Sequence, residues 1–323
     1  MLYLTEKDIL DAASVDEMVD AIEASLLTYA KGQFLMPQRM HIDQGDNTML
    51  LMPCFIEDYF ATKLITLFPS NPEKGLPILN GIVVLNDAQT GLPVALLNAP
   101  VLTGLRTAAV AAVSIRHLAP VGCESVGIVG AGVQGFYQAW FASSISGAGH
   151  AYIYDVCSEK TVGLIEKLQS VIPQVELHQA ARVEELLESS QVVITATTSC
   201  EPVLPDDEQL LRGKHFIGIG SYKPAVREFP RALFSLVKAV FTDTDHALEE
   251  SGDLIIPLKE GWLKKEQIIN LGRHLAEGSL ADEEVRKQTT FFKSVGMALF
   301  DLCASRLIYE KAVARGLGLQ VTP

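Results

Sequence analysis

The chain has 323 residues, 48% of them hydrophobic and 20% charged, with a formal charge of −13. That is enough for two globular domains of roughly 100–200 residues each. An acidic chain without a long block of like charge excludes the electrostatic footprint of a nucleic-acid or anionic-membrane binder. The five cysteines, Cys54, Cys123, Cys157, Cys200 and Cys303, are scattered and never spaced as C-x-x-C, which argues against a disulfide frame or a zinc site. The first residues lack a basic start, an apolar core and a small-residue cleavage site, and no stretch approaches the roughly 18 apolar residues of a membrane span. A cytoplasmic protein with no nucleic-acid and no membrane partner is expected.

In chain order, residues 5–31 read as helices: Thr5 and Ser14 each precede acidic residues, and Met18, Val19, Ile22, Leu26 and Tyr29 form one apolar stripe. From Met49 to Leu97 the runs MLLMPCF, FATKLITLF, NGIVVLND and PVALLNA read as short strands of an antiparallel meander, with DAQTGLP (87–93) as its clearest turn. Residues 102–118 are alanine-rich with helical apolar spacing, and PVGCE (120–124) reads as a linker, so a domain boundary is set near 118. Beyond it strands (125–130, 151–155, 174–178, 191–195) alternate with helices (133–146, 158–170, 182–188), the pattern of βαβ crossovers in a parallel sheet. KHFIGIGSY (214–222) and LVKAVFTDT (236–244) supply two more strands. The run 291–316 is read as one long helix ending at Gly316 and packing back on the first domain. The expected fold class is α/β: a Rossmann-type doubly wound parallel sheet (residues 119–290) plus a smaller α+β domain, 1–118 completed by 291–323.

The stretch SVGIVGAGVQGFYQAW (125–140) places Gly130, Gly132 and Gly135 as G-x-G-x-x-G between an apolar strand and a helix, the context a dinucleotide cradle needs. Gly130 permits the tight turn, Gly132 the approach of a pyrophosphate, and Gly135 close helix–strand packing. Val133 and Gln134 complete the loop where the helix N-terminus meets the phosphates. AYIYD ends at Asp155, 20 residues beyond Gly135, where a carboxylate accepts from a ribose 2′-hydroxyl and repels a 2′-phosphate. The cofactor is therefore NAD(H) or NADP(H), with NAD(H) favoured, although Lys160 lies close behind. Thr195 and Thr197, at the end of VVITATTS, are either ligand contacts at the carboxyl edge of the sheet or ordinary strand-end threonines.

Three cations sit in apolar settings of the first domain: Arg39 in MPQRMHI, Lys63 in FATKLITLF and Arg106 in LTGLRTAAVA. Each alone reads as a snorkelling or surface residue; together they suggest a carboxylate pocket, with arginine as the planar clamp and a desolvated lysine able to exchange a proton. Strand alternation puts Lys63 on the side of Ala61 and Ile65.

PQRM, TKLITLFP, GLRTAAVAAV, GIVGAGVQG, GIGSYKP, ALEESGD and FKSVGMALFDLCASRLIYEKA, in this order, resemble the ornithine cyclodeaminase and mu-crystallin family across essentially the whole chain. The resemblance implies a substrate-binding and dimerising first domain, hence a homodimer, and a Rossmann second domain. It also implies that Arg39 and Arg106 hold a substrate carboxylate and that Lys63 assists at the reacting carbon–nitrogen bond, with Lys63 and Arg106 as the catalytic pair. Lys293 and Gly296, taken to open the last helix, would lie beside the nicotinamide, and Thr107 and Ser221 complete the cofactor-binding candidates.

The family's cyclodeaminases carry an aspartate where Tyr222 stands and a glutamate near the position of Leu50. Those departures move the expectation from ornithine cyclisation toward reduction of a small cyclic imino acid such as Δ1-pyrroline-2-carboxylate to L-proline. A cyclodeaminase using bound NAD, an alanine dehydrogenase-like imino-acid reduction and a small-ligand carrier are the alternatives. Asp301, amid an apolar helix, is either a structural ion pair or a pocket residue. The seven histidines are spread along the chain, none paired with another at metal-ligand spacing, so no metal is expected.

Overall fold

The computed structural model describes every residue except Tyr222, 279–282 and Pro323. It comprises two compact units: Met1–Arg106 with Met297–Pro323, and Thr107–Gly296. The first division falls within the helix Ala99–Leu118.

In the first unit, helices Glu6–Ala12 and Val15–Ala30 each begin with a capping box, Thr5 with Asp8 and Ser14 with Glu17, which satisfies backbone donors that a helix start leaves without partners. The stripe Met18, Val19, Ile22 and Leu26 is buried. The strands are β1 (Leu2–Leu4), β2 (Met40–Gln44), β3 (Asn47–Phe55), β4 (Tyr59–Leu67), β5 (Leu79–Asp87) and β6 (Pro93–Asn98). With β15 (Leu319–Gln320) they form a sheet of order β15-β1-β6-β5-β4-β3-β2. From β2 to β6 the pairing is antiparallel, as the meander requires, whereas β1 lies parallel to β6. In the turn after β5, the Asp87 carboxylate accepts hydrogen bonds from the Gln89 and Thr90 amides and the Thr90 hydroxyl. Helix Ala298–Arg315 packs across β3, β4 and β5 and ends at Gly316, whose φ of +67° suits its left-handed cap.

The expectation of one helix over 291–316 is corrected. Thr290–Lys293 is a strand, β14, and the helix begins only at Ala298. All four residues of β14 are buried, so the run shows no alternation that would separate it from a buried helix segment. Gly296, at φ +74°, lies between strand and helix, so neither it nor Lys293 opens the helix.

In the second unit, β7 (Ser125–Val129), β8 (His150–Tyr154), β9 (Glu176–Gln179), β10 (Val192–Thr195), β11 (His215–Gly218), β12 (Val240–Thr242), β13 (Ile268–Asn270) and β14 are all parallel. Their order is β13-β12-β14-β11-β10-β7-β8-β9. The chain moves outward from β7 through β8 and β9, then returns to β10 on the other side. β7 and β10 thus flank the topological switch point, where open α/β sheets bind ligands beyond their strand ends. Phe216, Phe229, Phe234 and Phe291 anchor the buried core on one side of this sheet. Among the described residues, no helix is long and apolar enough to cross a membrane.

Candidate active site

The first unit concentrates its chemistry on β4. Alternation along that strand buries Ala61, Lys63 and Ile65 on one face, and the cross-strand partners of Lys63, Met52 on β3 and Val83 on β5, are buried as well. An ammonium surrounded by such side chains requires a counter-ion. Asp301, one turn into the C-terminal helix, supplies it: Lys63 Nζ lies 2.9 Å from Oδ1 and 2.8 Å from Oδ2. Arg106 donates from Nε to Oδ1 at 3.2 Å. All three side chains are at least nine-tenths buried.

Burial lowers the Lys63 ammonium to about 8; the guanidiniums of Arg106 and Arg39 act in the same direction, while the Asp301 charge and hydrogen bond oppose them. One carboxylate set against two cations leaves an excess positive charge, which favours an anionic ligand. A lysine near 8 can exchange a proton close to neutrality. The structure thus brings Lys63 and Arg106 together and places Arg39, half-buried just before β2, within their electrostatic reach. Asp301 resolves as the ion-pair partner of both buried cations. A cavity of about 700 Å³ in the same unit, lined in part by Phe34, Phe55, Cys303, Arg306 and Glu310, includes none of this trio.

In the second unit the glycine loop leaves β7. Gly130 has φ +111°, and a Cβ there would stand 2.7 Å from the Ala196 carbonyl oxygen; a Cβ on Gly135 would meet the Gly130 carbonyl oxygen at 2.1 Å. Both are therefore held to glycine by the backbone itself. Gly132 differs, because its Cβ would meet nothing within 4 Å. It caps helix Val133–Ser146 without a side chain to accept from the first-turn amides, which suits those amides to an anion. Asp155, directly after β8, accepts from the amides of Ala131 at 2.8 Å and Cys157 at 2.9 Å, so its charge stands beside the loop. The residues of this unit fit a dinucleotide, with tight backbone packing at two glycines and open space at the third.

Thr195, Thr197, Ser221 and Lys293 lie at or just beyond the carboxyl ends of β10, β11 and β14, and Gly296 follows β14. Thr107 is buried in helix Ala99–Leu118. Tyr222 lies outside the described residues.

A residue that sequence reasoning passed over organises this edge. Glu228 is fully buried and accepts from the hydroxyls of Thr195 (3.0 Å) and Thr197 (2.8 Å) and from the amides of Thr197 (2.9 Å), Gly220 (2.8 Å) and Ser221 (3.2 Å). Burial raises its carboxyl above the ordinary range, with Lys293 opposing and Asp253 assisting. Asp253 accepts from the amides of Glu228 and Phe229 and pairs with Lys293 Nζ at 3.1 Å, both side chains fully buried. Asp243 accepts from the Ser294 hydroxyl and the Gly296 amide. Lys293 and Gly296 are thus tied to carboxylates of their own unit. In YKPAVREFP, only the apolar surroundings of Glu228 hinted at burial.

Residues 1–316 match the model of the ornithine cyclodeaminase/mu-crystallin family. The Δ1-pyrroline-2-carboxylate reductase of Bacillus cereus is 31% identical over 329 aligned positions, covering 99% of each chain. The structure of Thermococcus litoralis Δ1-pyrroline-2-carboxylate reductase, in complex with NADH and L-proline, superposes with a TM-score of 0.91 at 31% identity, covering 99% of this chain and 100% of that one. An archaeal alanine dehydrogenase dimer with bound NAD gives a TM-score of 0.89 at 25% identity, covering 100% of this chain and 99% of that one. A family match over residues 1–316, nearly the full length, makes this chain a member of the ornithine cyclodeaminase/mu-crystallin family.

Proposed function

We propose that this protein is a nicotinamide-dependent reductase of a small cyclic imino acid, converting Δ1-pyrroline-2-carboxylate to L-proline. The observation that carries this reading is the buried Lys63, lowered to about 8 and sharing Asp301 with Arg106. The excess positive charge of that trio, with Arg39 in reach, suits a substrate carboxylate, for which arginine offers the planar fork. Holding that carboxylate fixes the C=N bond relative to Lys63.

When bound, the dinucleotide supplies the hydride that the imine carbon takes up. Lys63 delivers the matching proton to the imine nitrogen, so that one hydride and one proton convert C=N to CH–NH. Asp301 keeps the ammonium oriented, and Arg106 shares the same carboxylate. In the second unit, Gly130, Gly132, Val133, Gln134 and Gly135 would cradle the pyrophosphate, and Thr107, Thr195, Thr197, Ser221, Lys293 and Gly296 would border the remaining parts of the cofactor, several of them through the Glu228 and Asp253 carboxylates. The charge of Asp155 beside the glycine loop favours NAD(H) over NADP(H).

Leu50 supports reduction over ornithine cyclisation. It is buried on the Lys63 face of β3, next to Ile65, and provides no carboxylate to handle an amino group. On the opposite face of the sheet, Met40, Leu51, Leu64 and Ile82 align across four strands, with Met40, Leu64 and Ile82 exposed. Such an apolar row suits a second copy of the chain, and a homodimer is the assembly proposed. Five free cysteines accord with a cytoplasmic location.

The test is to mix the purified protein with NADH or NADPH and Δ1-pyrroline-2-carboxylate and to follow loss of reduced-nicotinamide absorbance, with pyruvate plus ammonia, and ornithine plus NAD⁺, alongside. Fast oxidation with the cyclic imine, faster with NADH, is expected. Ammonia released from ornithine without net NADH change, and no reaction with the imine, would overturn the reading in favour of a cyclodeaminase.

A further inference from the structure

The parallel sheet carries a second polar cluster, at the opposite end of its strands from the glycine loop. His150 opens β8 and Glu176 opens β9, the edge strand, and the two residues pair directly in register. His178 lies two residues after Glu176, so strand alternation returns it to the same face. The histidines are 28 residues apart in the chain and show no ligand spacing in the sequence. The βα unit between them brings the two strands side by side, so the two histidines meet although their sequence spacing gave no reason to expect a metal.

Two imidazole nitrogens and the Glu176 carboxylate converge there. His150 Nδ1 lies 3.2 Å from His178 Nε2 and 3.5 Å from Glu176 Oε2, and His178 Nε2 lies 3.8 Å from Glu176 Oε1. A tetrahedral zinc ion with bonds of about 2.0–2.1 Å sets its ligand atoms about 3.3–3.4 Å apart. The imidazole pair and the nearer carboxylate contact, at 3.2 and 3.5 Å, are close to those edges, and one ligand atom from each residue lies within 4.8 Å of the others. The Tyr152 ring stacks on His178 with centroids 4.6 Å apart and an interplanar angle of 15°, which holds that imidazole in place. The His150 side chain is 45% exposed and the His178 side chain 30%, so an ion can enter from solvent. We infer that His150, Glu176 and His178 form a binding site for a divalent transition-metal ion of the zinc type.

Two neutral imidazoles and a carboxylate are a donor set for zinc, with the fourth position left for water. Neutral imidazoles hydrogen-bonded to one another carry one proton between the facing nitrogens. Entry of the metal moves that proton to the far nitrogen of the same ring, so binding needs only a change of tautomer. β8 rises about 3.3 Å per residue, which separates His150 from Asp155 by about 16 Å along the strand direction. The ion would take no part in hydride chemistry. It would clamp edge strand β9 to β8.

The experiment uses tag-free full-length protein freed of metal by chelation and dialysis. Zinc is titrated by calorimetry, and cobalt is added as a coordination probe read by its visible absorption. One equivalent of zinc per chain is expected, together with a cobalt spectrum of low coordination number and a melting temperature that rises with zinc. His150→Gln, His178→Gln and Glu176→Gln should each weaken zinc at least ~10-fold and abolish the thermal shift, with NADH binding unchanged. Glu176 is 67% exposed, so its substitution leaves the fold intact and keeps the test decisive should a histidine variant not fold. Absence of zinc and cobalt binding at millimolar metal, or wild-type affinity retained in the Glu176 variant and in every histidine variant that folds, would overturn the inference.

Discussion

The two units handle buried charge in opposite ways. Around Lys63, two cations share one carboxylate, and the trio retains an excess positive charge. Around Glu228, a carboxylate gathers three backbone amides and two hydroxyls from the ends of β10 and β11 and the residues that follow them. An unbalanced cation cluster is costly to bury and suits an arriving anion, whereas a saturated carboxylate fixes loops and leaves little capacity for a ligand. Chemistry is therefore expected at the first cluster and positioning at the second.

Removing the lysine tests this division most severely. Lys63→Met should lower turnover by about 10²–10⁴-fold while leaving NADH affinity, measured by fluorescence titration, within twofold. In the wild type the rate of imine reduction should fall as pH rises through about 8, where Lys63 loses its proton, and this limb should be missing from the residual activity of the variant. The stability effect has a defined sign. The folded Lys63 value lies below its ordinary 10.5, so the unfolded chain binds more protons between about 8 and 10.5, and this group's contribution to stability rises with pH across that window.

The glycine loop offers a paired test. Gly135→Ala forces a Cβ to 2.1 Å from the Gly130 carbonyl oxygen and should lower thermal stability and NADH affinity together. Gly132→Ala meets no atom of the chain within 4 Å; it should melt normally and lose at least ~10-fold in NADH affinity, because the approach to pyrophosphate is what its missing Cβ permits. Equal NADH affinity in wild type and Gly132→Ala would remove that residue from the cradle.

Glu228→Gln should separate positioning from chemistry. The amide keeps the shape of the carboxylate but replaces one acceptor oxygen with a donor facing amide or hydroxyl groups, at a cost of about 1–3 kcal/mol in unfolding free energy. NADH affinity should fall while the pH at which the rate declines stays near 8. A shifted limb would mean that the two clusters are not independent. The smallest effect belongs to Asp155→Ser, which should move the NADPH-to-NADH preference by about tenfold, roughly 1.4 kcal/mol, without altering turnover at saturation.

Legibility in the sequence followed the distance over which each feature is assembled. The glycine loop, the capping boxes and the alternation of β4 are local, and their residues could be read within a dozen positions. The counter-ion of Lys63 lies 238 residues away, so Asp301 could be noticed as a buried acid but not assigned its partners. Glu228, and Asp253 as the partner of Lys293, were obscure for the same reason. The short strands β1, β2 and β15 carry too few residues for a period to emerge, and β14, buried throughout, imitated the helix that follows it.

The discontinuity of the first unit bears on how the protein is made. A ribosome releases Lys63 and Arg106 long before Asp301, and between them it must produce the whole of Thr107–Gly296. Until the last helix emerges, β3, β4 and β5 lack their cover and the two cations lack their carboxylate. The nascent first unit thus carries two cations ahead of the carboxylate that pairs with them. Its apolar sheet remains exposed to chaperones or to aggregation during synthesis, and a stop codon in place of Leu299 would leave an uncovered sheet bearing two unneutralised cations instead of a slower enzyme.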